Sequence, residues 1–155
     1  AEVLTRARQR LERPTPRVAL GQALRGIATS AMDVSDGLLG DLGHILKPSR
    51  VGACIDTLIT TNLIAARHES IWTSGHFGLN SGPQLNAQCT LAGGDDYELL
   101  FTAAPSQRDA VAAASQASDT PVTRIGTVQS QAGLRLVDGQ GHAFDNRYVS
   151  FDHFR

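Results

Sequence analysis

Two acidic segments of this sequence have residue types and spacing that suit metal and phosphate chemistry. In the first, MDVSDGLLGDL, Asp33 follows an apolar run, Ser35 and Asp36 form a turn, and Gly37 opens a helix. A junction between a strand and a helix is where α/β proteins commonly place ligands. Two carboxylates close together on a turn can face one hard cation, and Mg²⁺ prefers oxygen ligands. Asp33 and Asp36 are therefore candidate Mg²⁺ ligands.

The same first segment also fits a purely structural role. Serine and aspartate side chains accept hydrogen bonds from the free amides at the start of a helix, and a negative charge suits the positive end of the helix dipole. Ser35 or Asp36 would then cap the helix without binding a ligand. Residue types and spacing leave both interpretations open.

The second acidic segment is LAGGDDYELLF, in which two glycines permit a tight bend. The bend places Asp95 and Asp96 together just before a strand predicted over residues 97–102. Adjacent acids repel each other unless they are solvated or bound to cations, so a solvated turn and a binding turn are both consistent with the pattern. The pattern places Glu98 within the strand, so a solvated turn does not explain this acid as readily as it explains Asp95 and Asp96.

The end of the chain, YVSFDHF, concentrates aromatic residues in a protein with only 5% of them. Phe151 and Phe154 flank His153 there. These rings suit core packing, or alternatively an aromatic face for a flat heterocyclic ligand.

Composition and motif content exclude several other classes of function. Fourteen Lys and Arg against fifteen Asp and Glu give a net charge of −1 without a charged tail, which argues against nucleic acid and anionic membranes as partners. No apolar stretch approaches the ~20 residues that cross a bilayer, so we expect a cytoplasmic protein. The sequence lacks HExxH, P-loop and GxGxxG patterns, which disfavours a zinc hydrolase and the common nucleotide-binding loops.

The elements that must position the acidic segments interleave along the chain. Periodicity predicts helices over 2–10, 18–28, 37–46, 63–68 and 106–117, and strands over 29–32, 51–59, 97–102, 122–128, 133–137 and 148–151. Helix 37–46 should end at Pro48 and keep Asp41 and His44 outside its apolar face. A long polar loop is predicted over 73–88, and strand 29–32 should be buried.

This order predicts a protein of the α/β (α+β) class, with a mixed β-sheet and flanking helices. Pro14 and Pro16 interrupt the first helix, so residues 1–16 are interpreted as an N-terminal helix and joint, and 17–155 as the domain. The chain starts with Ala1 and its one methionine is Met32, so we expect a fragment of something longer.

This chain resembles the second half of thiamine-monophosphate kinases. The resemblance lies in segments that follow one another in this order: RPTPR, MDVSDGLLGDLGHI, GGDDYELLFT, RIGTV and FDHF. MDVSDGL and GGDDYEL are specific when they occur in this order and at this distance. The resemblance implies a fold like the C-terminal domain of aminoimidazole ribonucleotide synthetase, a relative that, like selenophosphate synthetase, uses ATP.

The resemblance also implies roles for individual residues. It makes Asp33 a Mg²⁺ ligand, Ser35 an ATP contact and Asp36 a ligand of another Mg²⁺. Asp95, and with it Asp96, would contact the phosphate of thiamine monophosphate. Phe151 would pack on thiamine, although Ser150 stands where the family usually has glycine.

The implied reaction transfers the γ-phosphoryl group of ATP to thiamine monophosphate, giving thiamine diphosphate and ADP. In the family an N-terminal domain, itself the main contact of a homodimer, supplies an acid-rich nucleotide and metal site that is absent from these residues. The isolated chain is therefore expected to be inactive. Two alternatives are a non-catalytic binding or regulatory module of the same fold, and a sibling ATP-dependent synthetase of the aminoimidazole ribonucleotide or selenophosphate type.

Overall fold

The structure, a computed structural model, describes residues 2–65, 83–145 and 147. Helices and strands alternate in these ranges, which confirms the predicted α/β class. In chain order they are α1 (Glu2–Glu12), α2 (Val18–Ala23), β1 (Ala28–Asp33), α3 (Leu38–Ser49), β2 (Gly52–Asp56), α4 (Thr57–Ala65), α5 (Pro83–Ala92), β3 (Leu99–Ala103), α6 (Arg108–Ala117), β4 (Gly126–Gln129), β5 (Gly133–Val137) and β6 (Ala143–Phe144). A 3₁₀ turn, Pro105–Gln107, leads into α6. Within the described ranges, no helix combines the length and apolar content needed to cross a membrane.

The described strands form two sheets. The larger has the order β4-β2-β5-β6 and is mixed, because β2 runs parallel to β5 and antiparallel to β4. The smaller pairs β1 with β3 in antiparallel fashion, and Asp33 at the end of β1 lies opposite Leu99. The predicted mixed sheet with flanking helices is confirmed.

Strand β3 lies between two hydrophobic cores. Leu100 belongs to the larger core, which α3, α5 and the mixed sheet build around the fully buried Leu91. Its neighbours Leu99 and Phe101 pack against the smaller core, formed mainly by α2 and α6. Successive side chains of a strand point to opposite faces, so one short strand connects both cores. The segment just before β3 is therefore anchored on both sides.

Helix α3 differs from its prediction at its C-terminal end. The helix continues through Pro48 to Ser49, and Arg50 then adopts a left-handed conformation with φ of 56°. The amide of Val51 donates to the carbonyl of Leu46 at 3.2 Å. Pro48 has no amide hydrogen to continue the helical hydrogen bonds, and the helix ends one residue after it, at Ser49.

The predicted strand 51–59 is wrong in its second half, because β2 ends at Asp56 and α4 follows at once. The carboxylate of Asp56 accepts hydrogen bonds from the amides of Leu58 and Ile59 at 2.9 and 3.0 Å. This is an N-cap, and it starts the helix earlier than the apolar pattern suggested. The predicted helix 63–68 consequently begins too late.

Other predicted elements also differ from the observed ones in their bounds or burial. The predicted loop 73–88 is helical from Pro83 onward, in α5, and its part over 73–82 lies outside the described residues. Strand β1 alternates between partly buried and exposed positions, so the expectation that it is buried is wrong. Strand β6 was not predicted, and the predicted strand 148–151 lies outside the described residues.

Candidate functional site

The two acidic segments lie side by side. Backbone pairing continues past the ends of β1 and β3: the amide of Val34 donates to the carbonyl of Glu98 at 2.9 Å, and the amide of Tyr97 donates to the carbonyl of Val34 at 2.8 Å. The amide of Asp95 then donates to the carbonyl of Ser35, again at 2.8 Å. Segments far apart in the sequence therefore form one surface that carries acids from both.

Two glycines allow this close approach. A Cβ atom at Gly94 would overlap the carbonyl oxygen of Ser35, so the backbone would have to shift. Gly37 has a φ of 119°, and a Cβ there would lie 2.9 Å from the carbonyl carbon of Ala92 at the end of α5. Only glycine fits at such positions without displacing the backbone.

We expect Gly94→Ala to destabilise the protein by about 2–3 kcal/mol, because the added methyl group must push the turn away from Ser35. The matched control is Gly43→Ala in α3, where an added Cβ would have nothing within 4 Å. There alanine should be neutral or stabilise by up to about 1 kcal/mol, since it favours the helix. Urea unfolding of both variants measures the difference, and equal effects would contradict the close approach.

Asp41 holds the turn of the first segment from within the protein. Its side chain is only 2% exposed, so the prediction that it lies outside the apolar face of α3 is wrong. Its Oδ2 accepts hydrogen bonds from the amides of Ser35 and Asp36 at 2.9 and 3.2 Å. Sequence reasoning assigned Asp41 no role. The signal was present as an acid in the first helical turn, just after a turn with free amides.

The N-cap position of α3 is occupied by Gly37. Neither Ser35 nor Asp36 stands at that position, and the backbone amides of both are bonded to Asp41. Their side chains are partly buried, whereas Asp33 at the end of β1 is exposed. Asp41 therefore holds the backbone of this turn, and Ser35 and Asp36 lie before the N-cap residue of α3.

Tyr97 contacts an acid of its own segment and responds to the charges of the other. Its hydroxyl donates to Oδ1 of Asp95 at 3.0 Å, and this hydrogen bond is the main cause that raises the pKa of Tyr97. The negative charges of Asp33 and Asp36 raise the pKa of Tyr97 further, which places them in the same local field. Asp95 and Tyr97 have φ values of 65° and 50°, a conformation that bulky residues rarely adopt. Such strain is often found at functional sites.

Asp95 and Asp96 are neighbours in different environments. Asp95 is exposed, whereas Asp96 is partly buried. Burial raises the pKa of Asp96 from its usual 3.8 to about 6, with the charge of Glu98 acting in the same direction and Arg10 opposing it. Of the two, Asp95 is the one open to a ligand in this structure.

The raised pKa of Asp96 predicts a pH-dependent stability. Between about pH 4 and 6 the folded protein retains a proton that the unfolded chain has released, so stability falls as the pH rises through this window. We expect Asp96→Asn to raise the free energy of unfolding by about 1 kcal/mol at pH 7, after discounting for partial exposure, and to change it little at pH 4. Urea unfolding at both pH values measures this. Asp109→Asn in α6 controls for the loss of one exposed charge, and an equal gain at both pH values would contradict the assignment.

The chemistry of the donors suits a hard cation, since carboxylates are the ligands that Mg²⁺ prefers. Within residues 2–65, 83–145 and 147, however, no three His, Cys, Asp or Glu side chains converge as a group able to hold a metal ion. Asp33 and Asp36 thus offer donors at one surface without forming a complete metal site by themselves. Phe151, the predicted aromatic contact, lies outside the described residues.

Known proteins resemble this chain in sequence and fold. A thiamine-monophosphate kinase of Salmonella typhimurium is 41% identical over 148 residues, which are 94% of this chain and 42% of that protein. The crystal structure of thiamine-monophosphate kinase from Stenotrophomonas maltophilia K279a, 40% identical, has a TM-score of 0.67 and matches 88% of this chain and 39% of its own. The structure of AaThiL complexed with AMPPCP and TMP, 24% identical, shares the fold with a TM-score of 0.61, over 94% of this chain and 40% of that one.

The chain spans about two fifths of the length of these relatives. The predicted resemblance to thiamine-monophosphate kinases is confirmed, as is the predicted relation to the C-terminal domain of aminoimidazole ribonucleotide (AIR) synthetase. The sequence profile described as AIR synthase related protein, C-terminal domain, matches residues 3–139, which are most of the chain. The chain therefore belongs to the family of AIR synthase related proteins, C-terminal domain.

Proposed function

We propose that this chain is the C-terminal part of a thiamine-monophosphate kinase, which transfers the γ-phosphoryl group of ATP to thiamine monophosphate. The observation that carries the proposal is the backbone pairing that brings the two acidic segments together beyond the ends of β1 and β3. Relatives at 40–41% identity that bear this name support it, and so does a protein of the same fold solved with AMPPCP and TMP.

In this proposal each acidic segment has its own ligand. Asp33 and Asp36 hold Mg²⁺, and Ser35 contacts ATP. Asp95, with Asp96 beside it, faces the phosphate of thiamine monophosphate. Phe151 packs on the thiamine rings. When bound, Mg²⁺ supplies positive charge that offsets the repulsion between the two phosphorylated substrates.

The other residues of the site act by fixing geometry. Asp41 holds the turn that carries Ser35 and Asp36 through two backbone hydrogen bonds. Tyr97 orients the carboxylate of Asp95. The acceptor phosphate is already ionised near neutral pH, so alignment and charge compensation are the main tasks of the site. Without cations these acids would repel phosphates by about 1 kcal/mol per close pair even in water.

The remaining parts of the active site belong, in this proposal, to an N-terminal domain of the longer protein. That domain forms a homodimer and supplies further acids for nucleotide and metal binding, and residues 1–16 connect it to residues 17–155. The division is supported by the length of the relatives, of which this chain spans about two fifths. In this proposal the reaction takes place in the cytoplasm.

The test is a coupled ADP-release assay on the full-length protein with thiamine monophosphate and Mg²⁺, together with direct detection of thiamine diphosphate. We expect activity with this acceptor, loss of activity with excess EDTA, and none from the 155-residue chain alone. Activity only with an aminoimidazole precursor or with selenide would indicate a sibling synthetase. No activity, and no thermal shift with thiamine phosphates and MgATP, would indicate a regulatory module.

A further inference from the structure

Glu98 receives hydrogen bonds from arginines on both sides of the proline-containing joint. Arg17, at the start of α2, donates through Nε to Oε2 at 2.8 Å and through Nη2 to Oε1 at 2.7 Å. Arg10, on α1, donates through Nη2 to Oε1 at 2.7 Å. The same Nη2 also donates to the backbone carbonyl of Asp96 at 3.0 Å. We call Glu98, Arg10 and Arg17 the arginine clamp.

The arginine clamp pairs one carboxylate with two guanidinium groups in a partly buried setting. The side chain of Glu98 is 46% exposed, and those of Arg10 and Arg17 are 32% and 30% exposed. Burial raises the pKa of Glu98, but the hydrogen bonds and charges of Arg17 and Arg10 outweigh it, and the net pKa is lowered. A bidentate contact between arginine and carboxylate also fixes the relative orientation of the two groups, which a single contact with lysine would not.

The main chain of Glu98 is part of the candidate site. Its carbonyl accepts the hydrogen bond from the amide of Val34, directly after Asp33. Tyr97 and Asp96 precede it, and Arg10 holds the carbonyl of Asp96. A movement of the joint would therefore be transmitted through the arginine clamp to the turn that carries Asp95. None of these side chains needs to touch a ligand for this to occur.

We propose that Glu98 is a positioning residue, which fixes the turn of residues 95–97 relative to α1 and the joint. This inference rests on the proposed function, because the joint leads toward the N-terminal domain only if the chain is the C-terminal part of the kinase. The arginine clamp then sets how the acids of this turn face the phosphate that the other half of the active site presents. A displacement of about 1 Å at such a site lowers the rate by up to about a hundredfold.

The kinetic test uses full-length Glu98→Gln, which preserves shape and removes the charge, at a temperature well below its unfolding transition. We expect KM for thiamine monophosphate to rise about tenfold and KM for ATP to change by less than about twofold. Arg17→Gln should act in the same direction, and the double variant should be no worse than Glu98→Gln, because both variants disrupt the same contact between Arg17 and Glu98. Glu12→Gln is the matched control, since it breaks the exposed pair with Arg8 on the same helix.

A second measurement does not depend on activity. Hydrogen exchange at the amides of Asp95 and Tyr97, which are bonded to Ser35 and Val34, should accelerate about tenfold in Glu98→Gln and remain unchanged in Glu12→Gln. Unchanged exchange together with unchanged KM values would overturn the positioning role, even if the melting temperature falls. If exchange is faster in Glu98→Gln but the full-length wild type has no kinase activity, the positioning of the turn is supported and the proposed function is refuted.

Discussion

Asp36→Ala is expected to lower kcat of the full-length protein with thiamine monophosphate by about 100- to 1,000-fold. Asp36 follows Ser35, whose carbonyl accepts the hydrogen bond from the amide of Asp95, and in the proposed function its carboxylate holds a cation against the substrate phosphates. Removing one group that stabilises charge in the transition state has effects of this size in enzymes. The same change should weaken activation by Mg²⁺, which a titration of rate against Mg²⁺ concentration measures.

The control for Asp36→Ala is Asp109→Ala, which removes another acid close to the start of a helix, the exposed Asp109 in the first turn of α6. Its kcat and Mg²⁺ dependence should remain those of the wild type. If Asp36→Ala retained full activity but unfolded at lower urea, Asp36 would have only a structural role in the turn. Activity lost without any change in Mg²⁺ dependence would argue against a ligand of the metal.

Asp41→Ala should lower the free energy of unfolding by about 2–4 kcal/mol. The variant leaves the amides of Ser35 and Asp36 without their acceptor in a region where Asp41 itself is 2% exposed. Partly buried amides without a partner lose much of their hydration and gain nothing in return, which is why the effect exceeds that of an average hydrogen bond. Urea unfolding monitored by circular dichroism measures it.

Asp41→Asn separates the hydrogen bonds from the charge, because the amide side chain still presents one carbonyl oxygen to the turn. We expect about half of the destabilisation caused by Asp41→Ala. In the full-length protein both variants should also lose activity, since the turn that carries Asp36 would no longer be held. A stable and fully active Asp41→Ala variant would exclude this role.

The candidate site has two layers, one of acids proposed to bind ligands and one of residues that hold the acidic turns in place. Asp33 and Asp95 are exposed and Asp36 is partly buried, and in the proposed function these three acids meet the ligands. Asp41 lies behind them and determines where one acidic turn stands. The arginine clamp plays the corresponding part for the other turn. Variants of the outer layer should therefore affect activity more than stability, and variants of Asp41 should affect both.

The sequence by itself determined the features that depend on local pattern. Alternation of apolar residues and turn signals located β5 at Gly133–Val137 and the body of α3 correctly. The interleaving of elements predicted the mixed sheet, and the two acidic phrases, read in order, identified the family. Glycine and aspartate in MDVSDG and GGDD marked the turns, because these residue types adopt turn geometry for local reasons.

Only the tertiary structure decided which of these residues meet. The sequence could not reveal that the amide of Asp95 pairs with the carbonyl of Ser35, because the register of distant strands depends on the packing of both cores. Asp41 looked like a surface acid, since helical periodicity records apolar faces and not the free amides of a neighbouring turn. Glu98 looked like a residue of a strand, yet it precedes β3 and contacts Arg10 and Arg17 across the chain. Contacts between residues far apart in the sequence leave no periodic signal, and such contacts fix the positions of the two acidic turns.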